Sequence, residues 1–297
     1  MDAQKKDYSY FQQGVEHVST SSSFLVSSSK YLNNAQLRDW VSTHFLRRNG
    51  PDSPVPADVT LGLAQALDEL RDEDAIAEIT EREKRINPKF KAWVEERHLP
   101  QLTVEDFAKY PKGSFGNICY DLMSKRGFQL SFGQQYKEPE SDFEFIRTRW
   151  WQTHDFEHLL TGGGFNSYGE LMTFYVRHAN LAQHWTAEMA RIINEIQIFS
   201  AGRMVVRTML HYPTLNLNML DVVRRGITIG FASECIAMMR FEDVLHLSMP
   251  EARDALGIRH AIDIDTYEDD EVFMEKRLPT QEELLQIGRP DLRNVGL

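Results

Sequence analysis

From Asn34 onward, apolar residues return every three or four positions, the spacing that keeps one helix face against a core. Asn34 is placed to cap the stretch NAQLRDWVSTHFLRR, since its side chain can accept from an N–H of the first turn. PDSPVPAD (51–58) reads as a loop, with Asp58 capping VTLGLAQALDEL. Thr103 and Asp106 form a capping-box pair before FAKY. TRWWQTHDFEHLL continues the helical period. After GGGFN, Ser167 opens a long helical tract to about Leu210, HYPTLN breaks it, and another helix is expected from about Asn216 to Leu245. Ser248 and Glu251 make a further capping box, with Gly257 as the stop. Only GFQLSF (127–132) and HAIDID (260–265) are expected as short strands. The expected fold class is all-α, with one predominantly helical domain over residues 33–260. A serine-rich, poorly ordered lead-in at 1–32 precedes it, and an acidic surface extension at 261–297 follows. No internal repeat is visible.

Composition narrows the partners. The chain has 297 residues, 42% of them hydrophobic, enough for a sizeable core. Its net charge of −11 argues against binding a nucleic-acid backbone, which needs clustered Lys and Arg. The same charge gives no global attraction to anionic lipid, although a local basic patch could still dock there. Cys119 and Cys235 are the only cysteines, so no disulfide framework or zinc ribbon is expected and a reducing compartment is the natural reading. The opening MDAQKKDYSYFQQG has neither the apolar stretch of a secretory signal nor the arginine-rich composition of a transit peptide. GITIGFASECIAMM (226–239) is the nearest approach to a membrane span, and Glu234 interrupts it.

The chemistry concentrates in THDFEHLLTGGGFNSYGE (153–170). On a helix, His154 and His158 stand at i and i+4 and share a face, so both imidazoles can reach one metal ion. Asp155 can reach the same ion from the side. Glu170 must arrive from the next segment, and Gly162, Gly163 and Gly164 permit the reversal that would bring it there. Two neutral histidines and two carboxylates match a divalent cation. Mixed nitrogen and oxygen ligands suit Zn²⁺, Fe²⁺ or Mn²⁺. A second reading stays open on spacing alone: Ser167 and Glu170 also make a capping box, and a lone histidine is commonly a satisfied core residue. The glycines do not form the GxGxxG pattern of nucleotide binding. Arg147, Arg149, Trp150 and Trp151 precede the motif and could hold an anion or wall an apolar pocket, or could simply be surface and core. His178 falls on roughly the same face as Glu170. Arg203 and Arg207, and the pair Arg224 and Arg225, could serve anionic headgroups or be solvated. FSAGRMVVRTML and GITIGFASECIAMM carry small and apolar residues that line either a packed core or a tunnel. A phosphoester hydrolase of the His-Asp type would need a separate upstream histidine, for which His44 or His98 could be offered, but the spacing fits poorly.

The HD-x-x-H-x11-E pattern of His154, Asp155, His158 and Glu170 resembles the signature of the Coq4 family of ubiquinone-biosynthesis proteins. YPKGSFGNICYDLM (110–123), RWWQTHDFEH (149–158) and RRGITIGFASECIAMMRFEDVLHLSMPEARDALGI (224–258) are similar to further segments of that family, so the resemblance runs from about residue 34 to 258. It implies an all-helical fold with a hydrophobic channel for an isoprenoid tail, and a divalent metal (zinc or iron, with manganese as another candidate) on His154, Asp155, His158 and Glu170. It implies oxidative decarboxylation and hydroxylation at ring carbon 1 of a prenylated hydroxybenzoate-type precursor. The rival readings are a non-catalytic, prenyl-lipid-binding scaffold for a quinone-biosynthesis complex and a paralogue acting on another aromatic acid. In the enzyme reading Arg149 holds the substrate carboxylate, Glu157 accepts a proton, and dioxygen favours iron over redox-inert zinc. Other quinone-biosynthesis proteins, the membrane surface and further copies of the chain (a homodimer or higher oligomer) are the expected partners. The expected location is cytoplasmic, peripheral to the inner face of the membrane. Trp151 and Glu157 depart from the family pattern.

Overall fold

A computed structural model describes residues 27–50 and 56–285, and side chains from residue 60 in the second stretch. The serine-rich part of the lead-in up to residue 26, and the end of the chain from residue 286, lie outside the described residues. The helices are α1 (Lys30–Asn33), α2 (Ala35–Leu46), α3 (Pro56–Asp68), α4 (Glu73–Ile86), α5 (Pro88–Glu96), α6 (Val104–Ala108), α7 (Phe115–Arg126), α8 (Asp142–Gln152), α9 (His154–Thr161), α10 (Ser167–His184), α11 (Ala187–His211), α12 (Asn216–Ala232), α13 (Met249–Ala255), α14 (Tyr267–Phe273) and α15 (Gln281–Leu285). Among the described residues no strand forms. The only extended pairing there is an isolated bridge between Ser114 and Ser248. The fold class is all-α, as the periodicity predicts.

Several caps sit where the residue types place them. Asn34 accepts from the Leu37 N–H at 2.7 Å. Thr103 with Asp106, and Ser248 with Glu251, close capping boxes at α6 and α13. Gly257 adopts φ 71° just beyond α13. Other expectations are corrected. GFQLSF is not a strand: Gly127 takes a left-handed turn at the end of α7, and Ser131 begins a short 3₁₀ turn. HAIDID is irregular, and its Ile264 N–H donates to the Gly162 carbonyl at 3.1 Å rather than to a partner strand. The tract from Ser167 divides at Trp185, where Thr186 caps α11 and buried Glu83 accepts from both the N–H and the hydroxyl of Thr186. The helix expected to reach Leu245 stops at Ala232. Buried Asn180 on α10 captures the chain there, donating to the carbonyls of Gly230 (2.9 Å) and Glu234 (3.0 Å) and accepting from the Ile236 N–H (2.8 Å).

The C-terminal acidic stretch is not wholly a surface extension. Val272 and Phe273 of α14 are buried in the main core. Asp269 accepts from Asn218 at 2.6 Å, and Asp270 accepts from the Ser167 N–H at 2.9 Å. The acids of this stretch therefore face polar groups at the starts of α12 and α10, while its apolar positions enter the core.

The core centres on α10, with α11 and α12 packed along it. Phe107, Phe115, Phe132, Phe156 and Phe241 form an aromatic cluster beneath α9, with Phe132 and Phe156 stacked at 3.9 Å. A second cluster gathers Phe90, Trp93, Phe145, Trp150 and Trp185. The α10–α12 contact is close enough that a Cβ on Gly230 would stand 2.5 Å from the Val176 carbonyl oxygen and 2.7 Å from the Ala179 Cβ. Alanine there would gain about 1 kcal/mol of helix propensity. A backbone oxygen cannot rotate aside, and overpacking costs about 1–3 kcal/mol. Gly230→Ala is therefore expected to lower the urea midpoint, with a net loss of up to about 2 kcal/mol. An unchanged or raised midpoint would show that the two helices separate freely.

Candidate metal centre

His154 opens α9 and His158 lies one turn on, so both imidazoles leave the same face. Their Nε2 atoms stand 3.2 Å apart. The Glu170 carboxylate closes the group, with Oε2 at 3.1 Å from His154 Nε2 and Oε1 at 3.3 Å from His158 Nε2. One ligand atom from each of the three residues lies within 4.8 Å of the others.

The loop between α9 and α10 makes this possible. Gly162 has φ 85°, and a Cβ there would stand 2.1 Å from the Ile262 carbonyl oxygen, so only glycine fits. Gly163 and Gly164 need no positive φ. Instead their carbonyl oxygens face His158 Nδ1 at 3.2 and 3.1 Å. Only an N–H satisfies two carbonyls, so His158 carries a proton on Nδ1, and Nε2, on the Glu170 side, is the nitrogen that would bind an ion on giving up its own proton. That is how outer-shell carbonyls orient a metal-binding histidine.

The start of α10 decides between the two readings of Glu170. Asn166, not Ser167, is the N-cap, accepting from the Gly169 N–H at 2.9 Å. The Ser167 N–H is taken by Asp270. The Ser167–Glu170 capping box does not form, and Glu170 is left to the histidines.

Burial by itself would lower the His158 imidazole, but the Glu170 charge and hydrogen bond reverse this and raise it above its ordinary value. Burial would raise the Glu170 carboxyl, but the two histidines hold it well below the usual carboxylate range. A ring stacked on Phe165 (5.0 Å) supports His158, while Trp151 and Phe174 flank the His154 ring. His154 Nδ1 is enclosed and has no partner among the described residues. Two lone-pair nitrogens and a carboxylate converging on one point fit a divalent ion of the zinc or iron type.

The other three sequence-identified residues fall elsewhere. Asp155 is beside the cluster but outside the close group, and its carboxylate accepts from the Ser131 N–H. Its charge still helps raise His158. Arg149, expected to hold a substrate carboxylate, is buried and committed. It pairs with Glu242 through both Nη atoms (2.8 and 2.9 Å) and donates to Gln152 and the Met239 carbonyl. Glu157, expected to accept a proton, is buried and held by Arg177 through Nε (2.7 Å) and Nη2 (2.8 Å), with the Thr153 hydroxyl at 3.1 Å. Both oxygens of Glu157 are taken, and Arg149 keeps only an enclosed Nε without a partner among the described residues. Ser131, Arg177 and Glu242 had no signal in the local pattern, because each meets the motif only through tertiary packing.

The cluster opens on a cavity of about 420 Å³ between α10, α11 and the chain around Asn49. Phe174, Ile196, Met204 and Phe273 supply apolar wall, and Arg203 and Arg207 supply cationic wall. This is the volume range of small-molecule sites.

Two buried groups set an acid limit. Burial presses the His178 imidazole down to about 4. Burial would raise the Glu242 carboxyl, but hydrogen bonds from His98 and Arg149 hold it down to about 2. The unfolded chain binds a proton at His178 near its ordinary value of about 6.5, so stability falls as pH drops from there toward 4. Glu242 stabilises the fold above its ordinary pKa, about 4.3, and that contribution is lost as pH falls toward 2. The melting temperature by circular dichroism should therefore decline from about pH 6.5 downward. A flat profile from pH 7 to pH 4 would contradict this reading.

An all-α fold built on three long helices, with a two-histidine, one-carboxylate group beside a cavity, defines the class. Residues 94–261 match the Coq4 family, coenzyme Q (ubiquinone) biosynthesis proteins, and the chain belongs to that family. The crystal structure of a candidate ubiquinone biosynthesis protein from Nostoc punctiforme is similar, at 23% identity and a TM-score of 0.52, covering 68% of this chain and 88% of its own. At that identity the likeness is one of fold. Comparison with curated proteins gives no match. The family supports a role in ubiquinone biosynthesis. Among the described residues, no helix is long and apolar enough to cross a membrane.

Proposed function

We propose that the protein is a metal-dependent enzyme that replaces the carboxylate on ring carbon 1 of a prenylated hydroxybenzoate-type precursor by a hydroxyl. The observation that carries this reading is the convergence of His154, His158 and Glu170 beside the cavity, with His154 and Glu170 on its wall. A divalent ion there would supply Lewis acidity, and iron would add redox chemistry that zinc lacks. The balance requires dioxygen and an external two-electron reductant. One oxygen atom becomes the ring hydroxyl, and the other leaves as water with two protons. The carboxyl group leaves as carbon dioxide.

The chain's own residues position and shield. The Gly163 and Gly164 carbonyls fix His158 in its donor tautomer. Glu170 brings negative charge to the group. Phe174, Ile196 and Met204 exclude water from the space beside it. Arg149 and Glu157 act as positioning residues, locking α8 and α9 through Glu242 and Arg177. Association with the inner face of the membrane belongs to the same proposal, and is supported by exposed Leu217, Leu220, Ile227 and Phe231 along α12.

The test is turnover by the iron-loaded protein with a prenylated hydroxybenzoate and a reductant under ¹⁸O₂. One labelled oxygen in the product, with release of carbon dioxide, is expected. Retained lipid binding with no turnover would overturn the enzyme reading in favour of a scaffold.

A further inference from the structure

Among the described residues, Arg207 is a buried cation with no ion-pair partner. It is 2% exposed, and its one hydrogen bond runs from Nη1 to Asn49 Oδ1 at 2.6 Å. Its Nε and Nη2 are enclosed and have no partner among the described residues. Asn49 is itself fixed, donating its side-chain N–H to the Phe273 carbonyl at 2.7 Å and its backbone N–H to the Tyr212 hydroxyl at 2.8 Å. One turn earlier on α11, Arg203 also lines the cavity, and its Nε is likewise enclosed and unpartnered.

The surroundings are cationic. Arg203 and Arg47 both act on Arg207 with the same sign, and Tyr212 opposes them. Together with burial they pull its guanidinium down to about 10. Burial and the same three arginines press the nearby His44 imidazole down to about 4, against a small opposing effect of Asp39. The acid acting on Arg203 is Glu170, of the metal-type cluster. In a chain of net charge −11, a corner where Arg47, Arg203 and Arg207 gather, with Glu170 the acid acting on Arg203, stands out. Buried guanidinium groups persist where an anion completes their hydrogen bonds. Adjacent guanidinium forks match the planar oxygens of a carboxylate or phosphate.

We propose that Arg203 and Arg207 form an oxyanion subsite in the same cavity as His154, His158 and Glu170, taking a carboxylate or phosphate group of the molecule that the cluster acts on. The inference rests on the reading of that cavity as the substrate site. It moves the substrate's anion from Arg149, whose Nη atoms are held by Glu242, Gln152 and the Met239 carbonyl, to two arginines on the cavity wall that keep unpartnered donors among the described residues. Arg207 is the anchor, held from behind by Asn49. Arg203 lies between the anchor and Glu170, and links the two ends electrostatically.

The test titrates benzoate and inorganic phosphate, separately, into the full-length protein by calorimetry, with Zn²⁺ binding measured in parallel. Saturable binding of at least one anion is expected. Arg203→Gln and Arg207→Gln are each expected to weaken it roughly tenfold or more, with Zn²⁺ binding unchanged. Benzoate alone would identify the group as a carboxylate, and phosphate alone as a phosphate. Arg203 is on the cavity wall and partly exposed, so Arg203→Gln carries the test if Arg207→Gln does not fold. Absence of binding by both anions, or binding untouched by Arg203→Gln, would overturn the subsite. Loss of Zn²⁺ binding in His158→Ala with anion binding intact keeps the two claims separable.

Discussion

His158→Ala is expected to abolish both metal binding and product formation. The substitution removes one of three converging ligand atoms, and the remaining pair, His154 and Glu170, cannot enclose an ion. The loss should exceed the roughly 10–100-fold that accompanies removal of an outer-shell partner. His158 is fully buried, so the variant will also lose packing against Phe165 and the bond to the glycine carbonyls. The two effects separate by measurement. Circular dichroism reports the fold, and calorimetric titration with Zn²⁺ reports the site. A folded variant that binds one equivalent of metal with unchanged affinity and retains full turnover would show that the cluster is not the centre.

Glu157→Ala is expected to be the most damaging change outside that cluster. Glu157 is 0% exposed and Arg177 is 1% exposed. Arg177 also donates to the Trp150 carbonyl at 2.6 Å and lies 3.8 Å above the Trp150 ring. Removing the carboxylate leaves a guanidinium in the interior with no counter-charge, which costs about 3–5 kcal/mol. Much of a typical domain stability of about 5–15 kcal/mol would go with it. Arg177→Met alongside Glu157→Ala should recover a large part, because neither charge is then stranded. Chemical denaturation of the single and double variants measures this. A single variant as stable as the parent would show that water reaches the pair, and would restore Glu157 as a candidate proton acceptor.

These two residues show what the sequence could and could not carry. His154 and His158 share a helix face through local geometry, so spacing alone reveals them. The glycines between Thr161 and Phe165 announce a reversal, and Gly162 makes it. Glu170 was ambiguous, because Ser-Tyr-Gly-Glu satisfies a capping box as well as a ligand set. The ambiguity resolves 100 residues away, where Asp270 takes the Ser167 N–H and Thr266 braces the Asn166 cap. No local pattern encodes that choice. The same holds for Glu157 and Arg149, which look like active-site groups in the motif but are neutralised by Arg177 and Glu242 from distant segments. The long helices were legible from period. Their ends at Ala232 and Trp185 were not, because buried Asn180 and Glu83 impose them from neighbouring helices.

The account depends most on His154, His158 and Glu170 sharing one ion. X-ray absorption at the zinc edge of the Zn²⁺-loaded protein tests this most directly. The account predicts two imidazole nitrogens at about 2.0–2.1 Å and at least one carboxylate oxygen at about 2.0–2.2 Å in the first shell. It also predicts that His154→Ala, left with one imidazole and one carboxylate, no longer retains the ion in that shell. A shell of oxygen atoms alone, or a spectrum unchanged by that substitution, would contradict it.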